Sequence, residues 1–172
     1  MYRNFRAALV CAFCVPSMAS AEAFKNEPED FRGITWGASY EQHASELKLV
    51  RQDDDVFFYT RSPEKMMFGR AEVVKVAYRF FKGKFNVGVI QTYGSYNKRE
   101  LRDALTSAYG QPVRLSKRQE LDSWNGDAVQ IVLSCSVTTY CAAEFISKEM
   151  IAWEETETGS LVNSLFPGGD DD

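Results

Sequence analysis

The stretch from Val73 to Tyr93 constrains the fold more than any other part of the chain, because it alternates apolar and polar residues on both sides of Lys82-Gly83. Successive side chains of a strand point to opposite faces, so Val74, Val76, Tyr78 and Phe80 share one face and Lys75, Ala77 and Arg79 the other. A two-residue turn at Lys82-Gly83 sets Phe81 opposite Lys84 and predicts the pairs Phe80 with Phe85, Tyr78 with Val87, and Val76 with Val89. A slip of one residue would set an apolar row against a polar one. The hairpin therefore fixes its own register and is the frame on which the other segments are placed.

Ahead of this frame, Arg3 and Arg6 precede an apolar run from Ala7 to Val15, followed by Pro16 and Ala19-Ser20-Ala21. This is the pattern of a secretory signal peptide over residues 1–21 with an A-x-A cleavage site, and the run is too short to cross a bilayer. Neither Cys11 nor Cys14 follows the small-residue pattern of a lipoprotein signal, which favours a soluble product. No later run is long and apolar enough for a membrane helix. Cleavage after Ala21 leaves 151 residues, one domain in length, and removes two arginines and no acid, so the net charge moves from −4 to −6. An acidic chain of this kind argues against general nucleic-acid binding.

The charge is unevenly placed. Residues 61–84 carry seven bases against Glu64 and Glu72, whereas from 119 onward Lys148 is the one base among eleven acids. Two of the four cysteines leave with the signal peptide. Cys135 and Cys141 remain in an exported chain, where thiols oxidise, and their spacing suits a bridge across a tight hairpin. A metal or redox pair is the competing reading, but the spacing is not C-x-x-C and no nearby His or Cys completes a ligand set.

In chain order, residues 22–30 read as an extended leader and residues 31–166 as a single domain. Phe31 to Gly37 forms a strand or turn packed closely on that domain. Ser39 with Gln42 has capping-box spacing for a helix through about Leu47, which carries His43, the one histidine. Asp53 to Asp55 and Val56 to Thr60 read as a polar turn and a strand, and Ser62 to Arg70 as a loop exposing Met66, Met67 and Phe68. A helix from about Lys98 to Tyr109 is capped by Asn97 and ended by Gly110 and Pro112, with Leu101, Ala104, Leu105 and Ala108 as its apolar stripe. This helix is expected across the Tyr78 and Val87 face.

Asn125-Gly126 is a hairpin signal, but a two-residue turn there sets Asp122 against Val129, so a bulge or wider loop is an alternative. Folding the next strand back about Thr138 pairs Cys135 with Cys141, Leu133 with Ala143, and Ile131 with Phe145. Met150 to Glu155 is readable as strand or helix, and residues 167–172 as a disordered acidic tail. The fold class expected is α+β: a mainly antiparallel sheet of about six strands with one or two helices packed on one face. A helix followed by strands occurs twice, a crude two-part repetition.

The string FRGITWGAS, a short helix, aromatic strands and a later helix ending Ala-Tyr-Gly-Gln-Pro together resemble a group of exported bacterial proteins that begin FRGI-x-WG and have no known activity. Gly37-Ala38-Ser39 before a helix is also similar to the Gly-Met-Thr helix start of small outer-membrane assembly lipoproteins and of β-lactamase inhibitory proteins. The chain departs from the lipoproteins in lacking a suitable lipidation cysteine.

No motif joins His43 to a nucleophile and an orienting acid: G-x-S-x-G, H-E-x-x-H and a phosphate loop are all missing. It reads as a helical histidine on a solvated or interfacial face. Asp53 to Asp55 and Asp170 to Asp172 are consecutive rather than interleaved as a calcium loop requires, and read as solvated turns. No cofactor or metal is therefore expected. The hairpin's polar row carries Lys75, Arg79 and Lys84, with Lys82 at the tip and Phe81 beside it. It is a candidate site for an acidic partner, or a solvated face neutralised by the acidic C-terminal half. Met66 and Met67 supply an adaptable apolar contact to such a partner or fold back over a sheet edge. The function expected is a non-enzymatic, protein-binding module of the cell envelope, periplasmic or secreted. The alternative is a small-molecule or lipid carrier holding its ligand among Tyr78, Val87, Val89 and Leu105, and a hydrolase using His43 comes last.

Overall fold

A computed structural model describes residues 24–116, 120–137 and 139–158. The predicted signal peptide, the acidic tail and Thr138 lie outside the described residues. In chain order the elements are β1 (Asp30–Phe31), β2 (Ile34–Thr35), a 3-10 turn (Tyr40–Gln42), β3 (Leu47–Asp53), β4 (Val56–Arg61), β5 (Met67–Phe68), β6 (Ala71–Glu72), β7 (Lys75–Phe81), β8 (Lys84–Tyr93), α1 (Ser95–Tyr109), β9 (Val113–Ser116), β10 (Glu120–Asn125), β11 (Val129–Cys135), β12 (Tyr140–Ser147) and α2 (Lys148–Thr158).

Eight of these strands form one antiparallel sheet in the order β3-β4-β7-β8-β12-β11-β10-β9. The α+β class is as expected, but the sheet has eight strands rather than about six. The two missed strands, β3 and β9, are its edges. Every residue of β3 after Leu47 is exposed, as are the first three of β9, so neither carries the buried alternation that marks a strand. The capping-box helix is also corrected. Only a 3-10 turn forms, Ser39 makes no side-chain cap, and the chain enters β3 at Leu47.

The sheet is two four-stranded meanders, β3-β4-β7-β8 and β9-β10-β11-β12, joined where their last strands pair, with Val89 opposite Glu144. Each meander follows a helical segment entered through a glycine of positive φ, Gly37 at 75° and Gly94 at 95°. The two-part repetition is thus a feature of the fold.

Lys82 and Gly83 both take positive φ, as the tight hairpin turn requires, and the predicted pairs Phe81–Lys84 and Phe80–Phe85 form. Beyond them the register departs from expectation. Asn86 is an extra residue on β8, so Arg79 faces Val87, Tyr78 faces Gly88 and Val76 faces Ile90. A bulge of this kind flips all that follows it. Phe85, Ile90 and Thr92 enter the main core, while Val87 and Val89 turn to the opposite face with Val132, Ile146 and Ile151.

The helices consequently lie on opposite faces, not one. α1 covers the main core through Leu101 and Leu105, both fully buried, and its Ala104 is close enough to Gly69 that any Cβ there would collide. The Trp124 indole N–H donates to the Gly110 carbonyl at 2.7 Å and ties the end of α1 to β10. α2 lies on the second face through Ile151, and the stretch left open between strand and helix is helical.

Cys135 and Cys141 are directly opposed on β11 and β12 and form a disulfide, with Leu133–Ala143 and Ile131–Phe145 paired as predicted. Asn125 pairs with Gln130 across a wider loop, which seats Asp122 opposite Leu133 rather than Val129. Because the disulfide closes only a short loop, removing it with Cys135→Ala and Cys141→Ala is expected to cost about 2 kcal/mol in urea unfolding. A thiol assay on the denatured, unreduced chain should find neither residue reactive.

Candidate functional site

The FRGITWG segment is a structural plug. Phe31 and Ile34 pair across a turn in which Arg32 and Gly33 both have positive φ, and the two apolar side chains are driven into the core. The Phe31 ring sits on the bare backbone of Gly88 and meets Tyr78, Phe85 and Phe145 at centroid distances of 5.5, 6.3 and 5.1 Å. Trp36 stacks on Phe85 at 5.1 Å, and its indole N–H donates to the Pro28 carbonyl. Further back, the Glu27 carboxylate accepts the backbone N–H groups of Asp127, Ala128 and Val129, so this part of the expected leader is bound to the β10–β11 loop.

Turned outward by its positive φ, Arg32 organises a polar cluster at the edge of the core. It donates to Glu64 at 2.9 Å and to the Lys65 and Met67 carbonyls, while Arg61 donates to the Arg32 carbonyl and to Glu64. The Tyr78 hydroxyl donates to Glu64 at 2.5 Å. Burial raises the Tyr78 pKa well above the ordinary tyrosine range, and the Glu64 hydrogen bond adds to it. For Glu64, burial acts to raise the pKa, but hydrogen bonds from Tyr78 and Arg61 outweigh it and the carboxyl titrates below its ordinary range.

A carboxyl whose folded pKa is depressed stabilises the fold fully above its unfolded value, and that contribution is lost as pH falls through the folded value. Stability measured by urea unfolding is therefore expected to drop on acidification below about pH 4. Glu64→Gln should cost about 2 kcal/mol at neutral pH and flatten this acid limb.

On the second face, α2 lies over the β7–β8 turn end of the sheet. Arg79 forms a two-pronged ion pair with Glu154, at 2.7 and 2.5 Å, and the Asn86 amide donates to the same carboxylate at 2.7 Å. Lys82 pairs with Glu157 at 2.7 Å, and Phe81, 1% exposed, packs edge-on against Trp153. Glu144, in the same face, is pushed above the ordinary carboxyl range by burial, against the opposing pull of Arg79.

Three of the candidate docking residues are thus engaged within the chain. Arg79, partly buried, pairs with Glu154 of α2, Phe81 is buried against Trp153, and Lys82 pairs with Glu157. Lys75 and Lys84 remain exposed but stand at opposite ends of their strands. Met66 and Met67 are exposed at 41% and 36%, beside a small β5–β6 hairpin whose Phe68 packs toward Phe145. The proposed carrier residues are separated by the bulge: Tyr78 and Leu105 belong to the main core, Val87 and Val89 to the second face.

The other end of the second face is open. Tyr93 and Tyr140 oppose one another across β8 and β12, 62% and 38% exposed, and Lys75 opposes Gln91 on the same face. Val74, also exposed, is anchored to this corner by its N–H bond to the Gln91 carbonyl, and the neighbouring Val73 N–H bonds the Met66 carbonyl. The tyrosine pair was not legible in the sequence because β8 and β12 meet only through the joining of the two meanders. One signal was present: Thr35-Trp36-Gly37 and Thr92-Tyr93-Gly94 place an aromatic at the same point of each half.

His43 follows the 3-10 turn, its Nδ1 2.7 Å from Glu46 Oε1. Among the described residues, no three His, Cys, Asp or Glu side chains are grouped to hold a metal, and no helix is long and apolar enough to cross a membrane. No protein-family model, curated protein or solved structure gives a significant match to this chain.

Proposed function

We propose that the protein is a non-enzymatic binding module of the cell envelope that docks a protein partner on the open half of the second sheet face. The observation that carries this reading is the exposed Tyr93–Tyr140 pair on the central strands β8 and β12, with Lys75 on the same face and exposed Val74 bonded to the neighbouring Gln91 carbonyl. Tyrosine supplies large contact area at low entropic cost and is enriched in the residues that dominate interface energies. Paired strands hold the two rings without the ordering cost a loop would incur. The cross-strand disulfide fits an oxidising compartment, in keeping with the signal-peptide pattern of residues 1–21.

The test is comparative capture from envelope extract with wild type, Tyr93→Ala/Tyr140→Ala and Lys75→Glu. A partner held by wild type should lose at least about tenfold in affinity to the tyrosine variant and a smaller factor to Lys75→Glu, with thermal stability nearly unchanged in both. Undiminished capture by the tyrosine variant would reject this surface.

A further inference from the structure

A cavity of about 260 Å³ opens between the FRGI plug and the β5–β6 hairpin, on the face of the sheet that carries α1. Its buried wall is apolar, made by Phe31, Ile90 and Phe145 with Phe68 and Tyr109 beside them. Its solvent side carries Arg32, Lys65, Asp30 and Met67. Such a division, with an apolar wall and a few polar groups at one end, is the usual form of a small-molecule site.

The polar end is not fully satisfied. Both terminal nitrogens of Arg32 are committed to Glu64 and to the Lys65 and Met67 carbonyls, but its Nε is buried and has no acceptor among the described residues. A buried N–H without an acceptor costs free energy that an incoming oxygen would recover. Lys65 adds a cation in no ion pair among the described residues, whereas Asp30, the acid at this rim, accepts the Gly33 N–H.

We infer that this cavity binds a linear aliphatic carboxylate, its chain against Phe31, Phe68, Ile90 and Phe145 and its carboxylate at Arg32 Nε and Lys65. At roughly 30 Å³ per heavy atom of close-packed ligand, the space takes a chain of about eight carbons. The size lies below that of drug-sized sites, which excludes a two-chain lipid from the cavity itself. The site is distinct from the Tyr93–Tyr140 surface and stands or falls independently of the docking proposal.

Octanoate is the probe, titrated into the full chain by calorimetry with nuclear magnetic resonance shifts as the site-specific readout. Saturable binding with shifts at Phe31, Phe68 and Ile90 is expected, with octanol and butanoate each at least about tenfold weaker, since one lacks the charge and the other most of the buried chain. Arg32→Lys keeps the charge but removes the Nε–H and should weaken octanoate by about tenfold. Because that change also touches the Glu64 cluster, Met67→Trp serves as a second variant: it narrows the mouth from an exposed position and should abolish binding without loss of fold. No saturable octanoate binding to wild type up to about 1 mM, or equal binding by octanol, would overturn the inference. So would full binding by the Met67→Trp variant.

Discussion

Arg79→Met is expected to lower the free energy of unfolding by about 3 kcal/mol and to loosen α2. The variant leaves Glu154 of α2, whose side chain is 10% exposed, without its cation, and among the described residues only the Asn86 amide still donates to its carboxylate. Removing one member of a buried pair costs far more than the pair itself contributes, because the surviving charge stays desolvated. The double variant Arg79→Met/Glu154→Met should therefore recover most of the loss. Urea unfolding of the two single variants and the double variant provides the measurement. Equal losses in Arg79→Met and the double variant would show that the cost is the loss of the pair itself rather than a stranded Glu154 charge.

Phe31→Ala should produce a still larger effect, about 4 kcal/mol, because the ring fills the space over Gly88 between three other aromatics. Nothing nearby can close the void: Gly88 offers no side chain, and Tyr78 is fixed by its bond to Glu64. Gly88→Val tests the same contact from the opposite side, since any Cβ on residue 88 meets the Phe31 ring, and it should cost about 2–3 kcal/mol. If Phe31→Ala unfolds at the wild-type urea midpoint, the FRGI segment is an appendage rather than part of the core.

These two effects mark the two faces of one sheet, and the faces differ in how far they were legible. The hairpin at Lys82-Gly83, the disulfide, and the pairing of β11 with β12 follow from turn residues and period-2 alternation, both local signals. The edge strands β3 and β9 were not legible because an exposed edge has no buried face to impose alternation. The basic row of the hairpin holds Lys75, Arg79 and Lys84. Its neutralisation by Glu154 and Glu157 involves residues 75 positions away, and the alternative of neutralisation by the acidic half stood open until α2 was placed.

The amino-acid sequence alone determined the α+β class, the central turn and its first pairs, the cysteine bridge and the stripe of α1, because each depends on residues close in the chain or on a simple period. Tertiary structure decided which face each residue serves. One extra residue, Asn86, reverses Val87 and Val89 relative to Phe85, and a strand's facing depends on parity, so a single bulge redirects all that follows it. The meeting of β8 with β12 then exposes Tyr93 beside Tyr140, and α2 closes over Arg79 and Phe81. The site proposed for a partner is the part of the second face that α2 leaves uncovered.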